Sequence, residues 1–175
     1  MKDRAKRFFP FILTLILVIV DQFSKYLVVK NIPEGTIFKS FFNDFLWICH
    51  VRNTGVAFSI GAGFSTTLRF VLFTVLPVFV LVFIAFTVAS KKSSLTEVQR
   101  WLVAGILGGG IGTMIDRIFR FKSGVVDFIS VKFYGLFGMD RWPTFNISDS
   151  CVVVFVTLFA ISVIFAKEGV KTDND

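Results

Sequence analysis

Long apolar segments separated by short polar ones dominate the chain. The first runs from about 8 to 29 and the second from about 67 to 89, and each is long enough to cross a bilayer core about 30 Å thick as a helix. Asp21 and Lys25 interrupt the first segment, and Pro77 interrupts the second. Neighbouring helices can accommodate such interruptions, so the pattern predicts two transmembrane helices.

Two further apolar runs, 101–115 and 151–166, would reach only about 22 to 24 Å as helices, which is too short to span alone. They cross fully only if polar neighbours enter the membrane edge, which predicts spans of about 101–120 and 146–166. Ionisable groups at that depth usually face the bundle interior and mark function.

The connecting segments 30–66 and 121–145 carry different signals. Residues 41–60 are rich in aromatic and β-branched side chains and are broken by turn residues, which predicts short strands or a hairpin. Residues 123–144 hold glycines and a proline among aromatics, which indicates an interfacial loop or a short helix. The predicted fold class is an all-α polytopic membrane protein, with residues 1–175 forming one membrane domain.

In a four-helix arrangement, the ends of the first and third helices and the starts of the second and fourth emerge on one side. Every polar motif of the sequence falls there. These motifs are Asp21 with Lys25, the loop 53–59, Asp116 with Arg117, the segment around Asp127, and 146–149. They are therefore predicted to converge at one membrane face.

Composition agrees with a lipid environment. Hydrophobic residues make up 54% of the 175 residues, 24 of them Phe, and the mean hydropathy is +0.75. A soluble fold of this length could not bury so much apolar surface. The net charge of +7 comes from scattered Lys and Arg without a basic stripe, so it predicts contact with anionic membrane lipids and no nucleic-acid partner.

Charge also predicts an orientation. Basic residues are almost evenly divided between the two sides, but the cluster Lys2, Arg4, Lys6 and Arg7 directly precedes the first span. Because the first helix usually dominates topology, both termini are predicted to be cytoplasmic, with the polar motifs facing outward. The predicted location is the bacterial cytoplasmic (inner) membrane.

Metal or cysteine chemistry is not expected. Cys49 and Cys151 lie far apart, and His50 is the only histidine, so neither a metal nor another cofactor is predicted. Cys49 beside His50 resembles a nucleophile and base, yet adjacent residues on an extended segment point to opposite faces.

Asp21 and Lys25 lie one helical turn apart and are interpreted as an ion pair that supports a site. Asp116 and Arg117 are interpreted in the same way. Asp127 and Asp149 differ, because they meet at one membrane edge without matching cations and will tend to share a proton. Such a pair can activate water for amide hydrolysis, but the residues alone leave a purely structural pair equally open.

Five motifs occur in a fixed order, and together they resemble the lipoprotein signal peptidase (signal peptidase II) family over nearly the whole chain. They are Asp21-Gln22-x-x-Lys25, Asn53-Thr54-Gly55-x-Ala57-Phe58, Gly112-x-x-x-Asp116-Arg117, Val125-Val126-Asp127-Phe128 and Phe145-Asn146-x-x-Asp149. The resemblance implies an aspartic endopeptidase with Asp127 and Asp149 as the catalytic pair. It also implies four transmembrane helices with a small extracytoplasmic β-strand cradle and a short interfacial helix.

The implied substrate is a diacylglyceryl-modified bacterial prolipoprotein, which is cut before the lipidated cysteine. No obligate protein partner is expected for the enzyme. The resemblance assigns substrate-binding or supporting roles to eight further motif residues, namely Asp21, Lys25, Asn53, Gly55, Gly112, Asp116, Arg117 and Asn146. Two positions depart from the family pattern: Thr113 replaces the usual Asn and Ser148 replaces the usual Ala. Altered substrate contacts near Thr113 and an altered pKa of Asp149 are the expected consequences.

Two other functions remain alternatives. A small transporter or proton-coupled carrier would use intramembrane charges, but transporters commonly show inverted repeats and midplane sites, whereas these charges gather near one edge. A non-catalytic assembly factor would tolerate Asp127→Asn or Asp149→Asn with its activity intact.

Overall fold

The structure is a computed structural model that describes residues 6–55, 63–120 and 123–172. Its four long helices are α1 (Pro10–Asn31), α2 (Thr66–Ala89), α3 (Glu97–Phe119) and α4 (Ile147–Thr172). All four are long and apolar enough to cross a membrane, which confirms the predicted polytopic helical fold. The motif residues Ala57 and Phe58 and the basic residues Lys2 and Arg4 lie outside the described part.

The bundle is apolar on the outside and encloses several charged and polar side chains. On α1, Ile16, Ile19 and Phe23 are exposed, whereas Asp21 and Lys25 are almost completely buried. This distribution is the reverse of a soluble helix and is typical of a bundle whose solvent is lipid. Helix α3 is the most enclosed of the four, because it packs against each of the other three.

Helix α2 contains a wide turn. Residues Val71–Val75 form a π-helical stretch in which the Leu76 amide donates to the carbonyl of Val71, immediately before Pro77. Proline has no amide hydrogen to continue the ordinary hydrogen-bond ladder, and a π-turn is one way to absorb the break. Phe73, which contacts the site described below, lies in this turn.

Helix α3 begins earlier than its apolar run. It begins at Glu97 because Thr96 and Gln99 form a reciprocal capping box, with the Gln99 amide donating to the Thr96 hydroxyl and the Gln99 side chain accepting from the Thr96 amide. The apolar pattern from Trp101 alone had predicted a later start. Capping, rather than hydrophobicity, therefore determines this end of the helix.

A three-stranded antiparallel sheet in the order β1-β2-β3 lies at one end of the bundle. Strands β1 (Ile37–Phe41) and β2 (Leu46–Asn53) form the predicted hairpin. Strand β3 (Val125–Val131) was predicted as a loop or short helix, and the only helical turn described between α3 and α4 is Leu136–Gly138.

Strand β3 is mostly apolar and has buried residues on both of its faces. Val126 and Phe128 of this strand pack with Val28 and Ile32 from the end of α1 in a buried cluster. This contact joins the sheet to the bundle and brings Asp127, which lies between the two β3 residues, to the end of the helices.

Candidate active site

Asp127 occupies a buried position in the middle of β3, opposite Val51 of β2, and only 3% of its surface is exposed. Asn53, at the end of β2, donates from Nδ2 to Oδ2 of Asp127 at 3.1 Å. Asn146 donates from its own Nδ2 to Oδ1 of the same carboxyl group at 2.7 Å. Each carboxyl oxygen is therefore held by a side-chain amide, which restricts the orientation of the group.

Asp149 lies in the first turn of α4, and Asn146 is the residue that caps this helix. The Asn146 Oδ1 accepts the Asp149 amide at 3.0 Å, and the Asp149 Oδ2 accepts the Asn146 amide at 3.1 Å. This reciprocal pair has the geometry of a capping box. The Asp149 carboxyl group is thereby fixed at the amino-terminal end of α4.

Asn146 consequently contacts both aspartates. Its side chain is completely buried. The side-chain Nδ2 of Asn146 binds Asp127, whereas its Oδ1 and its backbone amide bind Asp149. The sequence predicted that the two carboxylates would converge, and the structure brings both of them to this one asparagine.

The environment of Asp127 alters its protonation. Burial raises the pKa of Asp127 from 3.8 to about 7, and the nearby Asp149 carboxylate adds to the rise. The hydrogen bonds from Asn53 and Asn146 and the charge of Lys25 act in the opposite direction. Near neutral pH, Asp127 is therefore protonated in a substantial fraction of molecules, beside a second carboxyl group that is only half-buried.

Arg117 of α3 supports this arrangement through the turn that follows β2. Its Nη2 donates to the Gly55 carbonyl at 2.7 Å, and the Gly55 amide donates to Oδ1 of Asn53 at 3.0 Å. The Oδ1 atom of Asn53 is thus held by the Gly55 amide, and its Nδ2 is directed towards Asp127. The Arg117 guanidinium also lies 5.9 Å from the centre of the Phe73 ring.

A small cavity of about 20 Å³ opens between this turn and α2. A cavity of this size holds about one water-sized molecule. Its lining is Asn53, Thr54, Arg69, Phe73, Arg117, Gly124 and Val125. Two cationic side chains therefore border the space next to the asparagine that holds Asp127.

A buried charge network lies near Asp127 and Asp149. Lys25 Nζ is 2.8 Å from Oδ2 of Asp21 and 2.9 Å from Oδ2 of Asp116, and all three residues are at most 1% exposed. Arg120, one turn after Asp116, contacts the other oxygen of that carboxylate. Two carboxylates and two cations compensate one another, which makes their burial tolerable.

Asp21 links this network to the catalytic candidates. Its Oδ1 accepts the backbone amide of Ser148 at 3.0 Å, within the first turn of α4 and next to Asp149. Asp21 therefore satisfies an amide at the helix start that has no partner within the helix. The interpretation of Asp21 and Lys25 as a supporting ion pair fits these contacts.

Gly112 permits α1, α3 and α4 to meet. A Cβ atom at this position would lie 2.1 Å from Oγ of Ser148 and 2.7 Å from Oδ2 of Asp21. Gln22 adds a further contact, because its Nε2 donates to the Gly112 carbonyl at 3.0 Å. Gly112 therefore acts through close packing of the helices.

Sequence reasoning missed Gln22, Arg69, Phe73 and Arg120 as parts of the site. The spacing of Asp116 and Arg120, four residues apart on one helix, was a signal for their pairing. No comparable signal existed for Phe73, because its position depends on the π-turn.

The two positions that depart from the family pattern differ in their surroundings. Thr113 is half-buried on α3. Ser148 is buried, and its hydroxyl has no hydrogen-bond partner among the described residues.

Cys49 and His50 do not form a nucleophile–base pair. Cys49 Sγ lies 3.8 Å from the Phe128 carbonyl, and His50 Nδ1 lies 2.7 Å from the Ile32 carbonyl. Within the described part of the chain, no three His, Cys, Asp or Glu side chains are grouped as metal ligands would be.

The chain matches known proteins along most of its length. Residues 13–165 match the family model described as signal peptidase (SPase) II. A lipoprotein signal peptidase of Borrelia hermsii is 50% identical over 165 residues, which cover 94% of this chain and 95% of that protein. A lipoprotein signal peptidase of Borreliella burgdorferi is 43% identical over 171 residues, covering 97% of this chain and 98% of that protein.

A solved structure also shares the fold. A bacterial membrane enzyme determined at 2.3 Å resolution superposes with a TM-score of 0.73 at 27% sequence identity, covering 91% of this chain and 90% of the solved chain. The four helices and the small sheet therefore occur together in a known membrane enzyme.

Proposed function

This chain belongs to the signal peptidase II family of membrane aspartic proteases, and from that premise we propose that it removes the signal peptide from diacylglyceryl-modified bacterial prolipoproteins. Cleavage occurs before the lipidated cysteine. The observation that carries the proposal is the position of Asn146, which hydrogen-bonds to both Asp127 and Asp149. Two carboxyl groups oriented by one residue are suited to act on one peptide bond.

The surroundings of the two aspartates support different roles. Asp127 is buried and has a pKa of about 7, so it is the proton donor. Asp149 is the less buried of the two and accepts the backbone amide of Asn146, so it is assigned as the general base. One neutral acid and one charged base are what water-mediated amide hydrolysis requires.

Hydrolysis then proceeds in balanced steps. The Asp149 carboxylate takes a proton from a water molecule, whose oxygen attacks the scissile carbonyl carbon while Asp127 donates its proton to the carbonyl oxygen. A tetrahedral diol forms. Its collapse breaks the C–N bond as Asp149 transfers a proton to the departing amine, and a hydroxyl of the diol returns a proton to Asp127. Both carboxyl groups end in their starting states.

The neighbouring residues position the reacting groups. Asn53, Gly55 and Arg117 form a connected set in which Arg117 holds the turn that orients Asn53. The same turn offers backbone groups to an extended substrate segment at the edge of the small cavity. Asp21, Lys25, Asp116 and Gly112 act further away, through the first turn of α4.

The protein is a multi-pass membrane protein, and both termini are assigned to the cytoplasm. Lys6 and Arg7 lie within one turn before α1, and Lys91 and Lys92 follow α2 at the same end of the bundle. Basic residues at this end support a cytoplasmic location, which puts the aspartates near the outer face of the inner membrane. A lipid-modified precursor anchored in the outer leaflet reaches a site there without leaving the membrane.

An in vitro cleavage assay on a diacylglyceryl-modified precursor tests the proposal. Wild-type protein in lipid or detergent is expected to release the signal peptide, and Asp127→Asn and Asp149→Asn are each expected to abolish release while melting cooperatively. Retained cleavage in either variant would remove that aspartate from the mechanism. Full activity in both variants would favour a non-catalytic assembly factor.

A further inference from the structure

An apolar groove of about 280 Å³ runs between α2 and α3 on the membrane-facing side of the bundle. All nine of its lining residues are aliphatic or methionine, and they include Val78, Ala85, Leu107, Ile111 and Ile118. A groove without polar groups, between two membrane-spanning helices, is suited to a hydrocarbon chain and to no charged or hydrogen-bonding ligand.

One end of the groove lies near the candidate active site along α3. Ile118, at its upper end on α3, directly follows Arg117 in sequence. On α2, Val78 comes five residues after Phe73, whose ring faces the Arg117 guanidinium. The polar cavity beside Asn53 and the apolar groove are therefore lined by the same two helices, and Arg117 of the cavity is adjacent to Ile118 of the groove on α3.

Its length corresponds to one leaflet. Leu107 and Ile118 are eleven positions apart on α3, which corresponds to about 16 Å of helix. The hydrocarbon core of a bilayer is about 30 Å thick, so one acyl chain of one leaflet occupies roughly half of that depth. The groove thus extends from the polar end of the site about as far as a single acyl chain reaches.

We propose that this groove holds one acyl chain of the substrate's diacylglyceryl group, an inference that rests on the function proposed above. The glycerol esters then lie at the level of Arg117 and Phe73, and the lipidated cysteine lies next to Asp127 and Asp149. The hydrocarbon chain continues downward between α2 and α3 without leaving an apolar environment.

The groove acts mainly on alignment. Lipid tails are about as apolar as the groove wall, so moving a chain from the bilayer into the groove yields little free energy. What the groove supplies is a fixed direction for the chain, which fixes the scissile bond relative to the aspartates. Misalignment of a reacting group lowers the reaction rate even where the affinity for the substrate is unchanged.

Filling the groove at different depths tests this arrangement. Val78→Phe blocks the upper part, and Ala85→Phe blocks a position two helical turns deeper. Val80→Phe is the matched control, because Val80 lies on the same helix, is 49% exposed and does not line the groove. The substrates are synthetic precursor peptides whose diacylglyceryl groups carry short, medium or long acyl chains.

The expected result is a dependence on chain length. Val78→Phe should lower kcat/KM about tenfold or more for medium and long chains, since misfit in an apolar pocket typically costs 10- to 200-fold. Ala85→Phe should lower it only for long chains, and Val80→Phe should match the wild type throughout. The proposal is overturned if the two groove variants, with unchanged melting temperatures, respond to chain length as Val80→Phe does.

A measurement on the wild-type protein covers the case in which a variant fails to fold. A precursor carrying a photoreactive group within its acyl chain should label Val78, Ile111 or Ile118, whereas labelling confined to α1 or α4 contradicts the proposal. In either experiment the wild type still cleaves the precursor if only the groove assignment fails. If the proposed function itself fails, no lipidated precursor is cleaved at any chain length.

Discussion

Asn146 Nδ2 lies 2.7 Å from Oδ1 of Asp127, and both residues are buried at the point where β3 meets the start of α4. Asn146 also caps α4 and exchanges two hydrogen bonds with Asp149. A sheet residue and a helix residue are thereby held in a fixed relation by one side chain. Helix capping and the orientation of the aspartates are two tasks of the same asparagine, and they are separable by substitution.

Asn146→Ser should keep the cap and lose the contact with Asp127, because a serine hydroxyl can accept the Asp149 amide but cannot reach as an amide does. We expect cleavage to fall by about 10- to 100-fold, with melting close to that of the wild type. Asn146→Ala should lose both contacts and also destabilise the protein by about 1 kcal/mol. Cleavage assays and thermal unfolding of both variants separate the two roles. Equal activity of Asn146→Ser and the wild type would show that the contact with Asp127 does not contribute to cleavage.

The pH dependence of cleavage should identify the proton donor. The pKa of Asp127 is raised to about 7, so its protonated form is present below that pH and is lost as the pH rises through it. If Asp127 is the acid, kcat/KM should decline above about pH 7, approaching tenfold per pH unit. A pH profile on one lipidated precursor measures this. A rate that instead increases through the same range would make Asp127 the base.

Stability should change in the same window. The native carboxyl group titrates at about 7 and the unfolded one at 3.8, so between these values the native state binds one more proton. Stability then falls by about 1.4 kcal/mol per pH unit as the pH rises. From about pH 5 to about pH 7 the wild type should lose roughly 2 kcal/mol relative to Asp127→Asn, which cannot ionise. If the free energies of unfolding of the two proteins change equally with pH across this range, the raised pKa of Asp127 is excluded.

The sequence predicted the helices and the convergence of the aspartates well, because both depend on patterns that need no partner. An apolar run of sufficient length indicates a span wherever its neighbours lie, and the parity of four spans brings Asp21, Asp116, Asp127 and Asp149 to one side. The ordered motifs then narrowed the function to one family.

Features that depend on tertiary contacts were not predictable in this way. The third strand reads as a loop because its neighbours are glycine and aromatic residues, and it is a strand because β2 and the end of α1 bury it. The bridging position of Asn146 requires both β3 and α4 in place. Phe73 faces Arg117 through a local π-turn, which no sequence period reveals.

Lys25→Met should strongly destabilise the protein. Lys25 neutralises Asp21 and Asp116 at 2.8 and 2.9 Å, and only Asp116 has a second cation, Arg120. Removing one partner of a buried ion pair typically costs about 3–5 kcal/mol. Adding Asp21→Asn to Lys25→Met should restore part of this loss, because the asparagine Oδ1 can still accept the Ser148 amide. Thermal unfolding measures both, and a Lys25→Met variant as stable as the wild type would contradict the network.

Gly112→Ala should reduce cleavage by displacing the first turn of α4. The added Cβ would lie 2.1 Å from the Ser148 hydroxyl and 2.7 Å from Oδ2 of Asp21, and neither atom can yield without moving a residue next to Asp149 or a buried charge.

Ser148→Ala removes only the nearer of these atoms. Because that hydroxyl has no hydrogen-bond partner among the described residues, the single variant should keep wild-type activity. The double variant should therefore recover part of the activity lost in Gly112→Ala, the remaining loss coming from Asp21. If Ser148→Ala restores nothing while Gly112→Ala still folds, the glycine acts through another contact, and the coupling of α3 to Asp149 through Ser148 is wrong.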